Sequence, residues 1–348
     1  MSITVTSVSK SFGSHPALNN VSLGIDDGMF FVVLGPSGCG KSTLLRAIAG
    51  LEPIDAGEIL LDDVPVAHET LHVSPEDRRV GVVFQSYALW PHMSVARNVA
   101  FPLETAGKRR SQVNERVAEC LETVSLSQFA ERRPAALSGG QRQRVALARC
   151  LAQGAETVLM DEPLANLDPH LRSTMEEELA AFHKASGATT LFITHDQREA
   201  MALADQVAVM WEGEILQVAK PDVIYQRPNS RRVAGFIGQS SLVPVTVDKV
   251  QGGSARVSFA GVFADVDCPM TVKTGPATLV LRPEHLVLAP GGSGFQATVL
   301  RTVYRGGSWD VFVKVKGLQE PLRMTLDRRA DPGEPLHVSV LRGWVLPN

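Results

Sequence analysis

The sequence predicts an α/β domain with an antiparallel β edge and a helical subdomain, followed by a small all-β domain. The apolar run Met29–Leu34 precedes a glycine-rich loop and a helix, which is a strand–loop–helix order typical of α/β domains. Helix-periodic segments interrupt this domain at about residues 86–150. From residue 236, short alternating runs separated by glycine-rich turns replace them. We therefore place the two domains at residues 1–235 and 236–348.

The length, net charge, apolar stretches and cysteines of the chain limit the classes of protein to which it can belong. The 348 residues can form two hydrophobic cores, with 44% hydrophobic and 20% charged residues. The formal net charge of −3 gives no electrostatic case for nucleic-acid binding. No apolar stretch approaches about 18 residues, and no basic region followed by an apolar segment opens the chain, so we expect neither a membrane span nor a secretory signal. Four scattered cysteines without metal-ligand spacing indicate a reduced, cytosolic setting.

The loop after the apolar run has the spacing Gly-x4-Gly-Lys-Ser of a phosphate-binding loop. Its backbone N–H groups and the positive end of the following helix can surround phosphate oxygens. Lys41 can reach the β- and γ-phosphates of a nucleotide, and the Ser42 hydroxyl can bind Mg²⁺. Cys39 either only fills a variable position or is a site where alkylation blocks nucleotide binding. The predicted nucleotide-binding residues are Gly35, Pro36, Ser37, Gly38, Cys39, Gly40, Lys41, Ser42 and Thr43.

The first 28 residues alternate between apolar and polar positions, which predicts two or three strands of an antiparallel edge sheet. Phe12 falls in the turn between two of these strands. A packed aromatic residue and a platform for an adenine ring explain its position equally well.

Three buried strands are predicted to end in polar residues at the sheet edge where ligands bind in open α/β sheets. The strand Val80–Phe84 is followed by Gln85, and the strand Thr189–Thr194 is followed by His195. The strand that starts at Thr157 ends in the two carboxylates Asp161 and Glu162. Because carboxylates at the end of an apolar strand are costly without a role, Asp161 is expected to hold the Mg²⁺ shell and Glu162 to polarise water. A solvated acidic turn and structural roles for Gln85 and His195 are the alternatives.

Helix signals dominate residues 86–150. Ser111 is the expected N-cap of an amphipathic helix in this stretch, and Asp168 is the expected N-cap of a later helix that ends before Gly187. The aromatic loop Tyr87–Pro91 is either core or a partner surface.

A second glycine-containing segment, Leu137–Gln141, precedes a predicted helix from Arg142 to Ala152. Ser138 is a natural N-cap, and the glycines allow close approach of an anion. No lysine follows at the phosphate-loop position, so the segment alone would bind phosphate weakly. We therefore expect it to complete a nucleotide pocket begun elsewhere, through Ser138, Gly139, Gly140 and Gln141.

The C-terminal part is predicted to be a β sandwich or barrel, because its apolar runs are short and alternating. These runs are 242–247, 255–259, 262–266, 277–281, 297–303, 311–315 and 336–340.

Taken together and in this order, the motifs resemble those of the ATP-binding subunits of ABC transporters, which are P-loop NTPases. Residues 35–42 resemble the Walker A motif, Gln85 the Q-loop, 137–141 the signature, 158–162 Walker B with its catalytic glutamate, 165–168 the D-loop and 194–196 the switch histidine. The D-loop departs from the family pattern at Ala165, where Ser is frequent. The resemblance also assigns Phe12 to the adenine-stacking position.

The resemblance implies a homodimer in which two copies pair head to tail and the signature of one closes on the ATP of the other. Glu162, His195 and Gln85 would be catalytic residues, and Ser42, Gln85 and Asp161 would hold Mg²⁺. The implied partners are two membrane permease subunits and, indirectly, a periplasmic or extracellular solute-binding protein, without nucleic acid. The chain would lie peripherally at the cytoplasmic face of the inner cell membrane. We expect Tyr87–Pro91 to contact the permease.

The C-terminal domain resembles the OB-like TOBE domain of a subset of importer ATPases, at Phe236–Gly238, Leu281–His285 and Tyr304–Gly307. The stretch Phe84–Val95 is similar to the polyamine, opine, phosphonate and ferric-iron branch, whereas sugar importers more often have Tyr at the position of Trp90. The expected function is ATP hydrolysis coupled to import of one of these solutes. A sugar or glycerol-phosphate importer ATPase is the alternative, and a non-transport ABC ATPase is the remote one, since those usually carry two ATPase halves or a long coiled coil.

Overall fold

A computed structural model describes residues 1–165, 167, 169–289 and 294–347. Asp168, the expected N-cap, and Asn166 of the D-loop segment lie outside the described residues. The chain divides into two compact units, Met1–Pro221 and a second unit from Asp222 onward. Within the described part of the chain, no helix has the length and apolar character needed to cross a membrane.

The first unit is an α/β domain. Its strands are β1 (Ile3–Phe12), β2 (His15–Ile25), β3 (Phe30–Leu34), β4 (Ala56–Leu61), β5 (Val64–His68), β6 (Leu71–His72), β7 (Val80–Val83), β8 (Thr157–Asp161), β9 (Thr189–Thr194), β10 (Gln206–Trp211) and β11 (Glu214–Ala219). Its helices are α1 (Lys41–Ala49), α2 (Val95–Thr105), α3 (Arg110–Thr123), α4 (Gly139–Gln153), α5 (Pro169–Ser186) and α6 (Gln197–Leu203).

Two sheets enclose helix α1. The main sheet has the order β11-β10-β3-β9-β8-β7 and is parallel except for β11. Every residue of β3, β8 and β9 is buried, which confirms the apolar strands predicted there. The second sheet, β2-β1-β4-β5-β6, is antiparallel and confirms the predicted edge sheet. Leu44, Leu45 and Ile48 of α1 share one core with residues of both sheets.

Helices α2, α3 and α4 form the helical subdomain, with a core of their own that includes Val99, Val117 and Val145. The expected N-cap Ser111 is wrong, because α3 begins at Arg110 with Arg109 at the N-cap. The Gln112 side chain accepts a hydrogen bond from the Arg109 N–H at 3.3 Å and so satisfies this helix end without a serine.

The second unit is dominated by β structure. Its elements are α7 (Pro221–Gln226), α8 (Arg231–Phe236), β12 (Ser241–Gln251), β13 (Ser254–Phe259), β14 (Val262–Asp267), β15 (Gly275–Leu281), β16 (Leu286–Leu288), β17 (Phe295–Tyr304), β18 (Trp309–Val315), β19 (Leu322–Leu326), β20 (Pro335–Val340) and β21 (Trp344–Val345). Strands β12, β13, β14, β21 and β15 close a barrel, and β16-β20-β17-β18-β19 form an open antiparallel sheet. One hydrophobic core joins them, so the predicted all-β character is confirmed and the fold contains both a barrel and a sheet.

Residues 222–235 are held to the second unit by hydrogen bonds. The Trp344 Nε1–H donates to Pro228 O at 2.9 Å, the Ser240 hydroxyl donates to Ala234 O at 2.7 Å, and Arg282 donates to Tyr225 O at 2.8 Å. The first unit therefore ends at Pro221, earlier than the boundary that the change in sequence pattern predicts.

Candidate active site

The candidate site follows the carboxyl ends of four neighbouring strands. In sheet order β3-β9-β8-β7, the phosphate loop follows β3, His195 follows β9, Asp161 and Glu162 close β8, and Gln85 follows β7. Because the strands are parallel, these residues share one edge of the sheet. Sequence reasoning from strand ends therefore located this edge correctly.

The phosphate loop is folded around its own lysine. Lys41 is only 4% exposed, and its Nζ donates hydrogen bonds to Gly35 O and Pro36 O, both at 2.9 Å. Ser37 and Gly38 form the exposed tip of the loop, and Thr43 lies half-buried in the first turn of α1. Gly40, the N-cap of α1, has a φ of 106°, and a Cβ there would collide with Ala17 O. The loop can thus present backbone N–H groups and an ammonium group to an anion.

The oxygen atoms expected to hold Mg²⁺ meet beside this loop. The Ser42 hydroxyl donates a hydrogen bond of 2.8 Å to Asp161 Oδ1, and Asp161 is buried. A hydroxyl and a carboxylate are hard oxygen donors of the kind that Mg²⁺ takes when substrate phosphates and water supply its remaining ligands. The residues present therefore fit this ion.

Glu162 has a strained backbone. Its φ is 44°, in the left-handed region that residues other than glycine seldom adopt, and its N–H donates to Ile193 O at 3.0 Å. Its Oε2 lies 3.1 Å from Nδ1 of the half-exposed His195, and its Oε1 lies 3.9 Å from Nζ of Lys41. Strain of this kind costs about 1–3 kcal/mol and is concentrated at functional sites.

Gln85 lies in an exposed turn directly after β7, whose Val83 is paired with Met160 of β8. This turn is bound to the helical subdomain by Arg149 of α4, which donates to Ala88 O at 2.8 Å and to Tyr87 O at 3.2 Å. The sequence analysis did not identify Arg149. An arginine within the otherwise apolar stretch of α4 is the signal that could have found it.

The aromatic loop Tyr87–Pro91 is packed more than the sequence analysis expected. Tyr87 is 4% exposed, and its hydroxyl lies 3.5 Å from Pro163 O. The ring centroids of Trp90 and Phe101 are 4.2 Å apart, and the Arg149 guanidinium lies 5.2 Å from the Trp90 centroid. The Tyr87 ring is therefore core, which corrects its expected role in a partner surface.

The signature segment caps helix α4 as predicted. The Ser138 Oγ accepts from the Gln141 N–H at 3.3 Å, and the Gln141 side chain accepts from the Ser138 N–H at 2.9 Å. Gly139 and Gly140 open the helix, and a Cβ on Gly140 would lie 2.8 Å from Met175 Sδ of α5. In the described part of the chain, no hydrogen bond or ion pair joins this segment to the phosphate loop. The two predicted halves of the pocket are therefore separate within one chain.

Phe12 ends β1 with half of its surface exposed, and Lys10 Nζ lies 5.4 Å from its ring centroid. An exposed ring excludes the interpretation as a packed core residue.

The Cys39 side chain of the phosphate loop is buried. Burial raises the pKa of its thiol, although the positive charge of Lys41 acts in the opposite direction. A protonated, buried thiol reacts slowly, which favours the interpretation that Cys39 only fills its position in the loop.

Comparison with known proteins gives two family matches. The family described as ABC transporter matches residues 18–165, and the TOBE domain matches residues 279–346. A spermidine/putrescine import ATP-binding protein, PotA, of Pseudomonas aeruginosa is 43% identical over 341 residues, covering 95% of this chain and 92% of the relative. An sn-glycerol-3-phosphate import ATP-binding protein, UgpC 2, of Agrobacterium fabrum is 42% identical, covering 97% and 90%.

A solved structure has the same cassette fold. It is described as the dimeric structure of a post-hydrolysis state of the ATP-binding cassette MJ0796 bound to ADP and Pi. It is 33% identical with a TM-score of 0.55, and the match covers 63% of this chain and 98% of that one. The chain therefore belongs to the ABC transporter family, as the ATP-hydrolysing, ATP-binding subunit of an importer with a C-terminal TOBE domain.

Proposed function

We propose that this subunit hydrolyses Mg-ATP between two copies paired head to tail. The observation that carries the proposal is the meeting of Lys41, Ser42, Asp161, Glu162 and His195 at one sheet edge. The dimeric ADP-bound cassette to which the chain is similar supports the pairing.

The phosphate loop binds the nucleotide. Lys41 exchanges its two backbone carbonyl partners for β- and γ-phosphate oxygens, and the N–H groups at the start of α1 donate to the same phosphates. Phe12 stacks its exposed ring on the adenine. Ser42, Asp161 and Gln85 would hold Mg²⁺, which neutralises phosphate charge when bound.

Glu162 and His195 act on the attacking water. Glu162, close to both Lys41 and His195, orients the water and accepts its proton as the water oxygen bonds to the γ-phosphorus and the bond to the leaving ADP oxygen breaks. His195 donates a hydrogen bond to the transferring phosphoryl group. The Ser138 hydroxyl and the N–H of Gly140 from the second copy complete the site at the γ-phosphate, since within one chain the hydrogen bonds of Ser138 stay in its own segment.

A Glu162→Gln variant tests this chemistry. We expect unchanged ATP binding, hydrolysis reduced by roughly 10²–10⁴-fold through loss of the base, and an ATP-dependent dimer in size-exclusion chromatography. Glu156→Gln is the matched control, because Glu156 is an exposed carboxylate directly before the opposite end of β8. Normal turnover in Glu162→Gln would refute the role assigned to Glu162.

The proposed permease contact is a groove of about 690 Å³ on the helical subdomain. Its floor includes Ala100 and Val113, and its rim carries the charged side chains of Arg97, Glu104 and Lys108. Helix α2, which forms one wall, is bound to the loop after Gln85, since the Asn98 side chain accepts from the Trp90 N–H at 2.9 Å. A permease segment in the groove would thus be linked to the nucleotide site, and the subunit would lie at the cytoplasmic face of the membrane.

A polyamine is the proposed solute. The support is the similarity to spermidine/putrescine import proteins together with Trp90, where sugar importers more often have Tyr. The near-equal identity to the glycerol-3-phosphate relative makes that solute the second candidate.

The test of the solute has two steps. The tagged subunit is first purified from detergent-solubilised native membranes, and the permeases that it retains are identified by mass spectrometry. Uptake of labelled putrescine and glycerol-3-phosphate is then compared in cells with and without the subunit. Loss of putrescine uptake alone is expected. Loss of glycerol-3-phosphate uptake alone would reject the polyamine assignment.

A further inference from the structure

Arg172 of helix α5 joins the two segments that carry Glu162 and His195. Its Nη2 donates a hydrogen bond of 3.3 Å to Leu167 O, in the segment that follows Glu162. Its Nη1 donates a hydrogen bond of 3.1 Å to Asp196 Oδ2, directly after His195. The two segments are therefore linked twice. One link is the 3.1 Å contact between Glu162 and His195, and the other is the Arg172 guanidinium.

On the His195 side of this bridge, further hydrogen bonds fix the backbone and side chains next to His195. The hydroxyl of Thr194 accepts from the Asp196 N–H at 2.9 Å and donates to Glu199, which is buried. The other carboxylate oxygen of Glu199 lies 3.7 Å from Nε of Arg172. His195 is thus bracketed by two neighbours, Thr194 and Asp196, that both belong to one hydrogen-bonded and ionic cluster centred on Arg172.

The cluster brings together two carboxylates, Glu199 and Asp196, and Arg172 supplies positive charge between them. Burial raises the pKa of the Glu199 carboxyl, and the negative charge of Asp196 raises it further. The hydrogen bond from Thr194 and the positive charge of Arg172 lower this pKa. Burial alone would raise the pKa of Asp196, but hydrogen bonds from Arg198 and the charges of Arg198 and Arg172 hold it below its usual value. Arg172 donates to Asp196 and to Leu167 O from two separate nitrogens of one planar group, a spacing that the single nitrogen of lysine does not reproduce.

Arg198 provides a natural comparison. Its Nη2 also donates to Asp196 Oδ2, at 3.1 Å, but its side chain is 76% exposed. Among the described residues, its guanidinium makes no hydrogen bond other than the one to Asp196. Arg172 and Arg198 therefore neutralise the same carboxylate, and only Arg172 reaches the segment after Glu162.

We propose that Arg172 is a positioning residue for hydrolysis that sets the distance between Glu162 and His195. The inference rests on the roles proposed above for those two residues. Misplacement of a reacting group by about 1 Å can cost roughly 10²-fold in rate. Among the described residues, Arg172 makes no hydrogen bond or ion pair with the phosphate loop or with Ser42, so its loss should alter the chemical step and leave ATP binding unchanged.

The test compares Arg172→Met, Arg198→Met, His195→Ala and the double variant Arg172→Met/His195→Ala in the full chain. Hydrolysis is measured as kcat and KM for ATP, binding by calorimetry, and folding by thermal unfolding. Arg172→Met should lower kcat by roughly 10–100-fold at unchanged ATP affinity, and Arg198→Met should stay within about twofold. In the His195→Ala background, Arg172→Met should lower kcat no further, because both changes disable the same contact.

The outcomes separate this inference from the proposed function. If His195→Ala is impaired and Arg172→Met lowers kcat further in that background, the positioning role is overturned while the role of His195 stands. If His195→Ala hydrolyses ATP normally, the role of His195 is refuted and the inference with it. If Arg172→Met does not fold, Arg172→Lys replaces it in the same cycle, and a wild-type kcat in Arg172→Lys would overturn the proposal.

Discussion

Lys41 holds its ammonium group among backbone carbonyls of its own loop, with Glu162 at 3.9 Å. Burial makes the site costly for an isolated charge, so the carbonyl oxygens of Gly35 and Pro36 and the nearby carboxylate stabilise it until phosphates take their place. The lysine is therefore already positioned for the nucleotide, which reduces the ordering that binding requires.

Lys41→Ala should weaken ATP binding by roughly 10–100-fold, because a hydrogen bond to a charged group contributes about 1.5–3 kcal/mol. Isothermal titration calorimetry with ATP measures the loss. Lys184→Ala, which removes an exposed lysine of α5, is the control and should bind like the wild type. Equal affinity in Lys41→Ala would contradict the assignment of Lys41 to the phosphates.

At the residue scale, the sequence identified side chains that act through local spacing and missed those that act over distance. The glycine spacing around Lys41 encodes a backbone path, so it could be read directly. Arg149 binds a backbone carbonyl 62 positions away, which any residue could supply, and Arg172 binds the Asp196 carboxylate 24 positions away. An arginine in an apolar stretch, such as Arg149 in α4, can be noticed in the sequence, but no local pattern identifies its acceptors, so only the fold reveals them.

At the element scale, the carboxyl end of helix α1 is stabilised by a buried cation. Its amino end forms the phosphate loop, and at its carboxyl end the buried Arg78 donates to Ala47 O at 2.7 Å and to Ile48 O at 2.9 Å. Burial lowers the pKa of Arg78 to about 10, so the guanidinium remains a cation at pH 7. A cation at this end complements the helix dipole. Gly50, with a φ of 79°, leaves room for it, since a Cβ would lie 2.6 Å from Arg78 Nε.

The sheet β17-β18-β19 of the second unit contains a buried carboxylate between two arginines. Arg305 Nε lies 2.6 Å from Asp310 Oδ2, and Arg323 donates to the same oxygen. Burial alone would raise the pKa of Asp310, but these hydrogen bonds and charges hold it below its usual value. The folded state therefore favours the ionised form, and this stabilisation is present above the unfolded-state pKa and is lost as pH falls through the folded-state pKa.

Asp310→Asn should lower the free energy of unfolding by roughly 1.5–3 kcal/mol at pH 7, and the difference from wild type should shrink below about pH 4. Urea titrations at pH 7 and at pH 3.5 measure it. Asp327→Asn, at an exposed position just after β19, should change stability little at either pH. A loss of stability that is the same at both pH values would show that Asp310 acts through packing alone.

Element types were predictable wherever burial set a clear period, as in β3, β8 and β9, whose residues are all buried. The closed barrel of the second unit was harder to predict from the sequence. Strand β21 has two residues, and it closes the barrel by pairing with both β14 and β15. A segment this short carries no periodicity, so closure of the barrel depends on tertiary pairing that the sequence does not display.

At the scale of the whole molecule, the first unit offers a continuous path from the nucleotide site to its surface groove. Gln85 follows β7, which pairs with the strand that ends at Asp161. The backbone carbonyls of the turn after Gln85 bind Arg149 of α4, and Trp90 packs on Phe101 of α2. These contacts form a physical path along which a displacement at Gln85 would reach the wall of the groove. A partner bound in the proposed groove would contact the far end of this path.

The double variant Arg97→Glu/Lys108→Glu tests the groove by reversing two charges at its rim. Both residues are exposed, so the fold should persist, and ATP affinity and the basal hydrolysis of the isolated subunit should match the wild type. Recovery of permease subunits from detergent-solubilised membranes should fall, because charge complementarity at the rim of an interface governs association. Lys184→Glu, on α5 and outside the groove, is the control. Undiminished recovery of the permease with the double variant would place the contact elsewhere on the subunit, whereas reduced basal hydrolysis would mean that the rim also shapes the nucleotide site.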